Sequence, residues 1–203
     1  MMQPLLLALA GLSAGGIHVL AGPDHLAAVA PLAADSSRRR WVAGMLWGIG
    51  HTSGVVLVAA VAFVARGWFD IGAVSSWSER LVGVALIGVG LWGLQRAVRR
   101  RVHAHDDAPP HTHASFAFGV LHGLAGSAHV IGVLPALALP TATDAAIYLG
   151  AYGVGNVLAM TVFSSLMGAL GAATRRTGFD LHRGFIAACS LAAIAVGGYW
   201  LIS

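Results

Sequence analysis

The most informative segment of this chain lies near its N-terminus and reads Ile17-His18-Val19-Leu20-Ala21-Gly22-Pro23-Asp24-His25. It places three ionisable side chains inside an apolar run that extends over residues 4–34. Proline lacks a backbone N–H and clashes with the preceding helical turn, so a helix through this run is expected to break at Gly22-Pro23. The segment therefore predicts a discontinuous helix with polar side chains and freed backbone groups at its break.

A related segment occurs in the second half of the chain and reads Leu121-His122-Gly123-Leu124-Ala125-Gly126-Ser127-Ala128-His129. At an offset of 104 residues, His18 aligns with His122 and His25 aligns with His129. At an offset of 105, a second pair of segments aligns, namely Trp47-Gly48-Ile49-Gly50-His51 and Tyr152-Gly153-Val154-Gly155-Asn156. The chain is therefore expected to consist of two related halves.

The composition is that of a membrane protein. Of 203 residues, 57% are hydrophobic and only 10% are charged, which is too little charge to cover the surface of a soluble domain. Runs near the roughly 20 residues needed to cross a bilayer predict six spans, at 4–34, 41–65, 81–97, 116–139, 143–172 and 184–202. The expected fold is an all-α integral membrane protein with two three-helix repeats, 1–97 and 116–203, the first helix of each being broken. A hydrophilic loop, 98–115, separates them.

The basic residues predict the orientation in the membrane. All twelve are arginines and nearly all lie between apolar runs, so they indicate topology and not nucleic-acid binding. Only Arg66 and Arg80 lie on one side, whereas ten lie on the other: Arg38, Arg39, Arg40, Arg96, Arg99, Arg100, Arg101, Arg175, Arg176 and Arg183. The positive-inside rule predicts a multi-pass inner-membrane protein with both termini outside the cytoplasm. Three spans per half make the second repeat inverted, an architecture common among transporters.

Ionisable side chains within the predicted spans indicate a metal site. Such groups are costly in a bilayer, so they face the bundle interior and mark a site or a pathway. Imidazole together with carboxylate suits borderline divalent cations such as Ni²⁺, Co²⁺, Zn²⁺ or Cu²⁺. The candidate ligands are His18, Asp24, His25, His51, His122, His129 and Asn156. Because Ala128 and Asn156 stand where the first half has Asp24 and His51, the site is expected to be asymmetric and centred on the Gly22-Pro23 break.

The loop at 98–115 is rich in histidine, with His103, His105, His111 and His113 near Asp106 and Asp107. Such a tract is expected to stay solvated. Two interpretations remain open for it: loose capture of metal on the cytoplasmic side, or a plain linker.

Several function classes are disfavoured by what the sequence lacks. Cys189 is the single cysteine, so neither a disulfide framework nor a two-cysteine redox relay is possible within one chain. There is no phosphate-binding loop and no lysine, and no nucleophile stands beside a base and an acid at recognisable spacing. We therefore expect a transporter that is not an enzyme and requires no cofactor. A haem protein with paired intramembrane histidines is the alternative from another class.

The quoted motifs resemble the nickel/cobalt transporter superfamily (NicO), in particular its UreH-like and HupE/UreJ-like small membrane proteins. The hallmark His-x4-Asp-His followed by Gly-His-Ser/Thr is matched by His18–His25, with five residues between His18 and Asp24, and by Gly50-His51-Thr52. The run His122–Ser127 resembles a second-half motif of the UreH-like group. The resemblance implies transport of Ni²⁺ or Co²⁺ across a lipid bilayer and a link to urease or hydrogenase maturation proteins. It implies no nucleic-acid partner and leaves the direction of transport open.

Overall fold

The computed structural model describes residues 2–35, 40–64, 71–98, 112–125, 135–136 and 138–202. Within these ranges the chain is helical and contains no strand. The main helices of these ranges are α1 (Met2–Ala21), α2 (Pro23–Asp35), α3 (Arg40–Val64), α4 (Ile71–Val98), α5 (Thr112–Leu124), α6 (Ala142–Thr177) and α7 (Phe179–Ile202).

The first apolar run breaks at the expected place. α1 ends at Ala21 and α2 begins at Pro23. The Gly22 amide donates to the Val19 carbonyl at 3.3 Å, and the Gly22 carbonyl accepts from the Leu26 amide at 3.3 Å. Gly22 therefore closes one helix and opens the next, with proline at the first helical position, where its missing N–H leaves no bond unmade. The predicted break of the first helix is confirmed. Its counterpart in the second repeat falls in residues 126–134, outside the described ranges.

Among the described residues, four stretches of helix are long and apolar enough to cross a membrane: Gln3–Ala21, Glu79–Val98, Ala142–Thr177 and Asp180–Ile202. They coincide with the first, third, fifth and sixth predicted spans, and helices of this kind are typical of membrane proteins. α3 has 25 residues and covers the second predicted span. α5 covers the beginning of the fourth, whose remainder is described only in part.

Three helices extend beyond the apolar runs that predicted them. α4 begins at Ile71 and not near 81, α6 continues to Thr177 past 172, and α7 begins at Phe179 and not at 184. Hydropathy marks where the apolar side chains end, but backbone hydrogen bonding continues through polar residues. Arginine is tolerated at these helix ends because its long side chain can extend toward water.

The helices pack in pairs through small residues. α1 lies against α6, α3 against α5, and α4 against α7, while α2 contacts both α6 and α7. A Cβ atom at Gly15 would collide with the Tyr152 carbonyl on α6, and one at Gly119 would collide with the Trp47 carbonyl on α3. Glycine at such crossings lets backbones approach closely, which is how membrane helices associate without a hydrophobic driving force.

A glycine pair on α1 provides a stability test of this packing. Gly15→Ala is expected to destabilise the protein relative to Gly16→Ala, because overpacking a tight contact costs about 1–3 kcal/mol. Gly16 is the matched control, since nothing lies within 4 Å of a Cβ atom there. Both variants gain the same helix propensity, so the difference between their thermal unfolding temperatures in one detergent isolates the collision. Equal temperatures for the two variants would contradict the α1–α6 packing.

Arginine side chains join helix ends at one end of the bundle. Asp35, the last residue of α2, forms an ion pair with Arg96 of α4. The Arg175 guanidinium donates to the Asp35 carbonyl at 2.9 Å, and Nε of Arg183 donates to the Ala97 carbonyl at 2.5 Å. These carbonyls end α2 and α4, where no intrahelical donor remains. Arg175 and Arg183, two of the arginines that predict membrane orientation, therefore also cap helix C-termini.

Candidate metal site

The break between α1 and α2 brings three candidate ligands together. His18 lies in the last turn of α1, and Asp24 and His25 lie in the first turn of α2. A Cβ atom at Gly22 would collide with the His25 ring and lie 2.8 Å from the Asp24 carboxylate. Because Gly22 has no side chain, the space above it is filled by the side chains of His25 and Asp24, which fold back over the break. Asp24 is 5% exposed and His25 is 2% exposed, a degree of burial that an ionisable side chain tolerates only with partners.

The Asp24 carboxylate connects the two halves of the chain. Its Oδ1 lies 2.9 Å from Nδ1 of His25, and its Oδ2 lies 3.0 Å from Nε2 of His122 on α5. A carboxylate accepts these bonds when each ring carries its proton on the facing nitrogen. Both imidazoles are thereby held in a fixed orientation around one buried negative charge.

Five ligand-bearing side chains converge in two overlapping sets. His18, His25 and His51 form one set, and Asp24, His25 and His122 form the other. Within each set, one ligand atom per residue lies within 4.8 Å of the others. Metal–nitrogen bonds of about 2.0–2.1 Å place neighbouring ligand atoms roughly 3–4 Å apart. Small rotations of these side chains would therefore close either set around a cation.

Trp47 is a member of the cluster that the sequence did not single out. It lies one turn before His51 on α3, and the two rings stack at 4.9 Å with an angle of 8°. Its ring also lies 5.4 Å from that of His25 and 5.3 Å from that of His122. The i, i+4 spacing to His51 and the alignment with Tyr152 were the available signals. Trp47 limits the rotation of His51 and keeps water from this side of the cluster.

The second half contributes a wall beside His18. The Tyr152 ring on α6 lies 5.8 Å from the His18 ring. Asn156 lies one turn further along α6 and is fully buried, at 0% exposure. The lesser role expected for Asn156 stays a prediction. His122, by contrast, contacts Asp24 directly and lies in the same cluster as the candidate ligands from the first half.

The remaining histidines are distributed differently. His129 falls in residues 126–134, which lie outside the described ranges. His103, His105 and His111 of the loop lie outside these ranges as well. His113 lies at the start of α5, is exposed, and belongs to neither set. Its role in metal capture therefore stays a prediction.

The packing of the cluster bears on the haem alternative. His25 meets His18, His51 and His122 with ring centroids 4.7, 5.0 and 4.6 Å apart. The cavity bordering His122 has a volume of about 10 Å³, which corresponds to about one water molecule. Among the described residues, these rings pack against one another and leave no slot for a macrocycle.

Comparison with known proteins finds relatives in two groups. The chain is 33% identical over 206 residues to "Chloroplast protein FOR GROWTH AND FERTILITY 1" of Arabidopsis thaliana, covering 92% of the chain and 56% of the relative. It is 32% identical over 200 residues to "Chloroplast protein FOR GROWTH AND FERTILITY 2" of the same plant, covering 92% and 54%. The chain thus spans about half the length of these two relatives.

The second group is bacterial. The chain is 30% identical over 170 residues to the urease accessory protein UreH of Bacillus sp. (strain TB-90), covering 75% of the chain and 72% of the relative. No family model and no solved structure matches the chain.

Proposed function

Because the chain belongs to the family of the urease accessory protein UreH, we propose that it transports a divalent transition-metal cation, Ni²⁺ or Co²⁺, across a membrane. The observation that carries this proposal is the convergence of Asp24 with four histidines from both halves of the chain, with four of these five side chains buried. Neutral imidazoles and one carboxylate match the ligand preference of such cations. Burial inside a bundle of apolar helices is what a transport site requires and a surface metal site does not.

The charges at the helix break suit a cation that must be bound and then released. The C-terminal end of α1 carries the negative end of its helix dipole, and the N-terminal end of α2 carries a positive end that favours the Asp24 carboxylate. Discontinuous helices provide ion sites of this kind in transporters. Asp24 offsets only one of the two charges of the cation. The second positive charge of the cation is left without a counter-charge in a poorly solvated environment, and this favours release of the cation.

The helix contacts support two inverted repeats, 1–97 and 116–203, around the loop 98–115. A Cβ atom at Gly15 would meet the Tyr152 carbonyl, and one at its repeat equivalent, Gly119, would meet the carbonyl of Trp47, the equivalent of Tyr152. A second pair of contacts follows the same alignment. A Cβ atom at Gly155 would meet the Leu12 carbonyl, and one at its repeat equivalent, Gly50, would meet the carbonyl of Phe116, the equivalent of Leu12. A two-fold relation between the halves accounts for both pairs of contacts.

The arginine contacts support the proposed topology. Side chains of Arg96, Arg175 and Arg183 meet the C-terminal ends of α2 and α4, so these helix ends share one end of the bundle. With that end in the cytoplasm, the six spans form a multi-pass inner-membrane protein with both termini outside. Alternating access would then expose the midplane site to each side in turn, without an enzymatic step. The transported cation would supply urease or hydrogenase maturation proteins.

Transport into proteoliposomes tests the proposal. The full chain is expected to carry Ni²⁺ or Co²⁺ faster than empty vesicles, with Zn²⁺ measured in parallel as the competing cargo. His51→Ala is expected to reduce the rate to below about a tenth, because losing a ligand or its support at a metal site typically costs 10–100-fold in affinity or activity. His182→Gln is the matched control, since His182 bonds to Thr174 at 3.1 Å outside the cluster.

Two results would overturn the proposal. One is a wild-type chain that moves none of the three ions. The other is a His51→Ala variant that moves them as fast as wild type.

A further inference from the structure

We propose that the cluster offers a cation two successive positions and not one. The histidine position consists of His18, His25 and His51, and the carboxylate position consists of Asp24, His25 and His122. The inference rests on the proposed transport function and adds a path within the site. It predicts that the cation changes ligands while it crosses the cluster.

The first argument is the geometry of the ligand atoms. Within each set, the ligand atoms of the three residues all lie within 4.8 Å of one another. The two positions draw on different helices. α1, α2 and α3 supply the histidine position, whereas α2 and α5 supply the carboxylate position. A relative movement of the two halves would therefore alter the carboxylate position and leave the histidine position intact.

The second argument is the place of His25, which belongs to both sets. Its ring meets those of His18, His51 and His122 edge to face, at angles of 84°, 75° and 67°. Its Nδ1 faces Asp24 at 2.9 Å. The two cations of a doubly filled cluster would compete for this one ring and repel each other at short range in a poorly solvated interior. The positions are therefore filled one at a time, with His25 as the ligand kept during transfer.

The third argument is burial, which orders the two positions. His18 is the partly exposed member of the cluster, whereas Asp24, His25, His51 and His122 are 5%, 2%, 0% and 4% exposed, so His18 gives the histidine position its accessible side. A cation arriving from the accessible side meets the histidine position first. The carboxylate position alone offers a negative charge, so it binds the divalent cation more tightly once water is excluded. Entry is thus followed by occlusion, and the cation rests at the carboxylate position.

Cobalt titration of the purified full chain in lipid nanodiscs tests this path, because the d–d absorbance of Co²⁺ reports its ligands. The double variant H18A/H51A removes the histidine position. It is expected to bind one Co²⁺ with wild-type affinity and spectrum, yet to transport none in proteoliposomes. The double variant D24N/H122Q removes the carboxylate position and is expected to bind Co²⁺ about tenfold or more weakly, with a changed spectrum. His25→Ala is expected to abolish binding.

The outcomes separate this inference from the transport proposal. If wild type binds and transports but either double variant loses all binding, a single site exists and the two-position inference is wrong. Two Co²⁺ ions per wild-type chain would equally overturn it. A wild type that neither binds nor transports overturns the transport proposal itself. Should a double variant fail to fold, His51→Gln and His122→Gln make the same comparison with smaller changes.

Discussion

Asp24→Asn is expected to reduce metal uptake to below about a tenth of the wild-type rate, the scale on which metal sites respond to loss of a supporting or ligating group. Asparagine keeps the shape of the side chain but removes the only negative charge among the five ligands. A divalent cation would then sit in a buried cluster of neutral imidazoles, with no charge to offset its own. Uptake of Ni²⁺ into proteoliposomes measures the effect.

The same substitution should leave the fold intact. Asparagine has nearly the same shape as aspartate, and its amide still offers an acceptor oxygen and an NH₂ donor to the two facing imidazoles. Asp35→Asn is the matched control, because Asp35 pairs with Arg96 at the end of the bundle, away from the cluster. A D24N variant that transports as fast as D35N and wild type would show that the Asp24 charge is not required.

Gly22→Ala is expected to weaken Co²⁺ binding by about tenfold or more, as does the loss of groups that orient metal ligands. The added methyl would occupy the space in which His25 and Asp24 fold back over the break. Both side chains must move, and His25 belongs to each three-ligand set. Equilibrium titration of the full chain with Co²⁺ measures the loss.

The control for this variant is again Gly16→Ala, on α1 six residues before the break, where the added methyl meets nothing within 4 Å. Alanine favours helix over glycine, so this control shows how a glycine-to-alanine change near the cluster affects binding without a collision. Unchanged affinity in Gly22→Ala would mean that the ligands do not need the space above Gly22.

The sequence predicted what depends on local chemistry. Proline at position 23 has the same effect on a helix wherever the helix lies, so the break between α1 and α2 could be located to the residue. Apolar runs reveal membrane spans because every segment in a bilayer meets the same solvent. The ends of the helices were predicted less accurately, as at Ile71 and Phe179, because backbone hydrogen bonds continue beyond the apolar side chains.

The candidate ligands were predicted by type and depth, but their partnerships were not. Nothing in the pattern indicates that Asp24 lies 3.0 Å from His122, 98 residues away along the chain. Trp47 was likewise identified only by its contacts with the imidazole rings. The contacts of His122 with Asp24 and with Trp47 depend on how α5 is rotated and shifted against α2 and α3.

Sequence and tertiary structure therefore account for different parts of the site. The Ile17–His25 segment already specifies a broken helix that carries an acid and two histidines in an apolar environment, because those are properties of its own residues. Which ligands face one another, and their division into two sets that share His25, depends on close helix crossings at glycines such as Gly15 and Gly119. A crossing is a relation between two helices, and one segment contains only half of it.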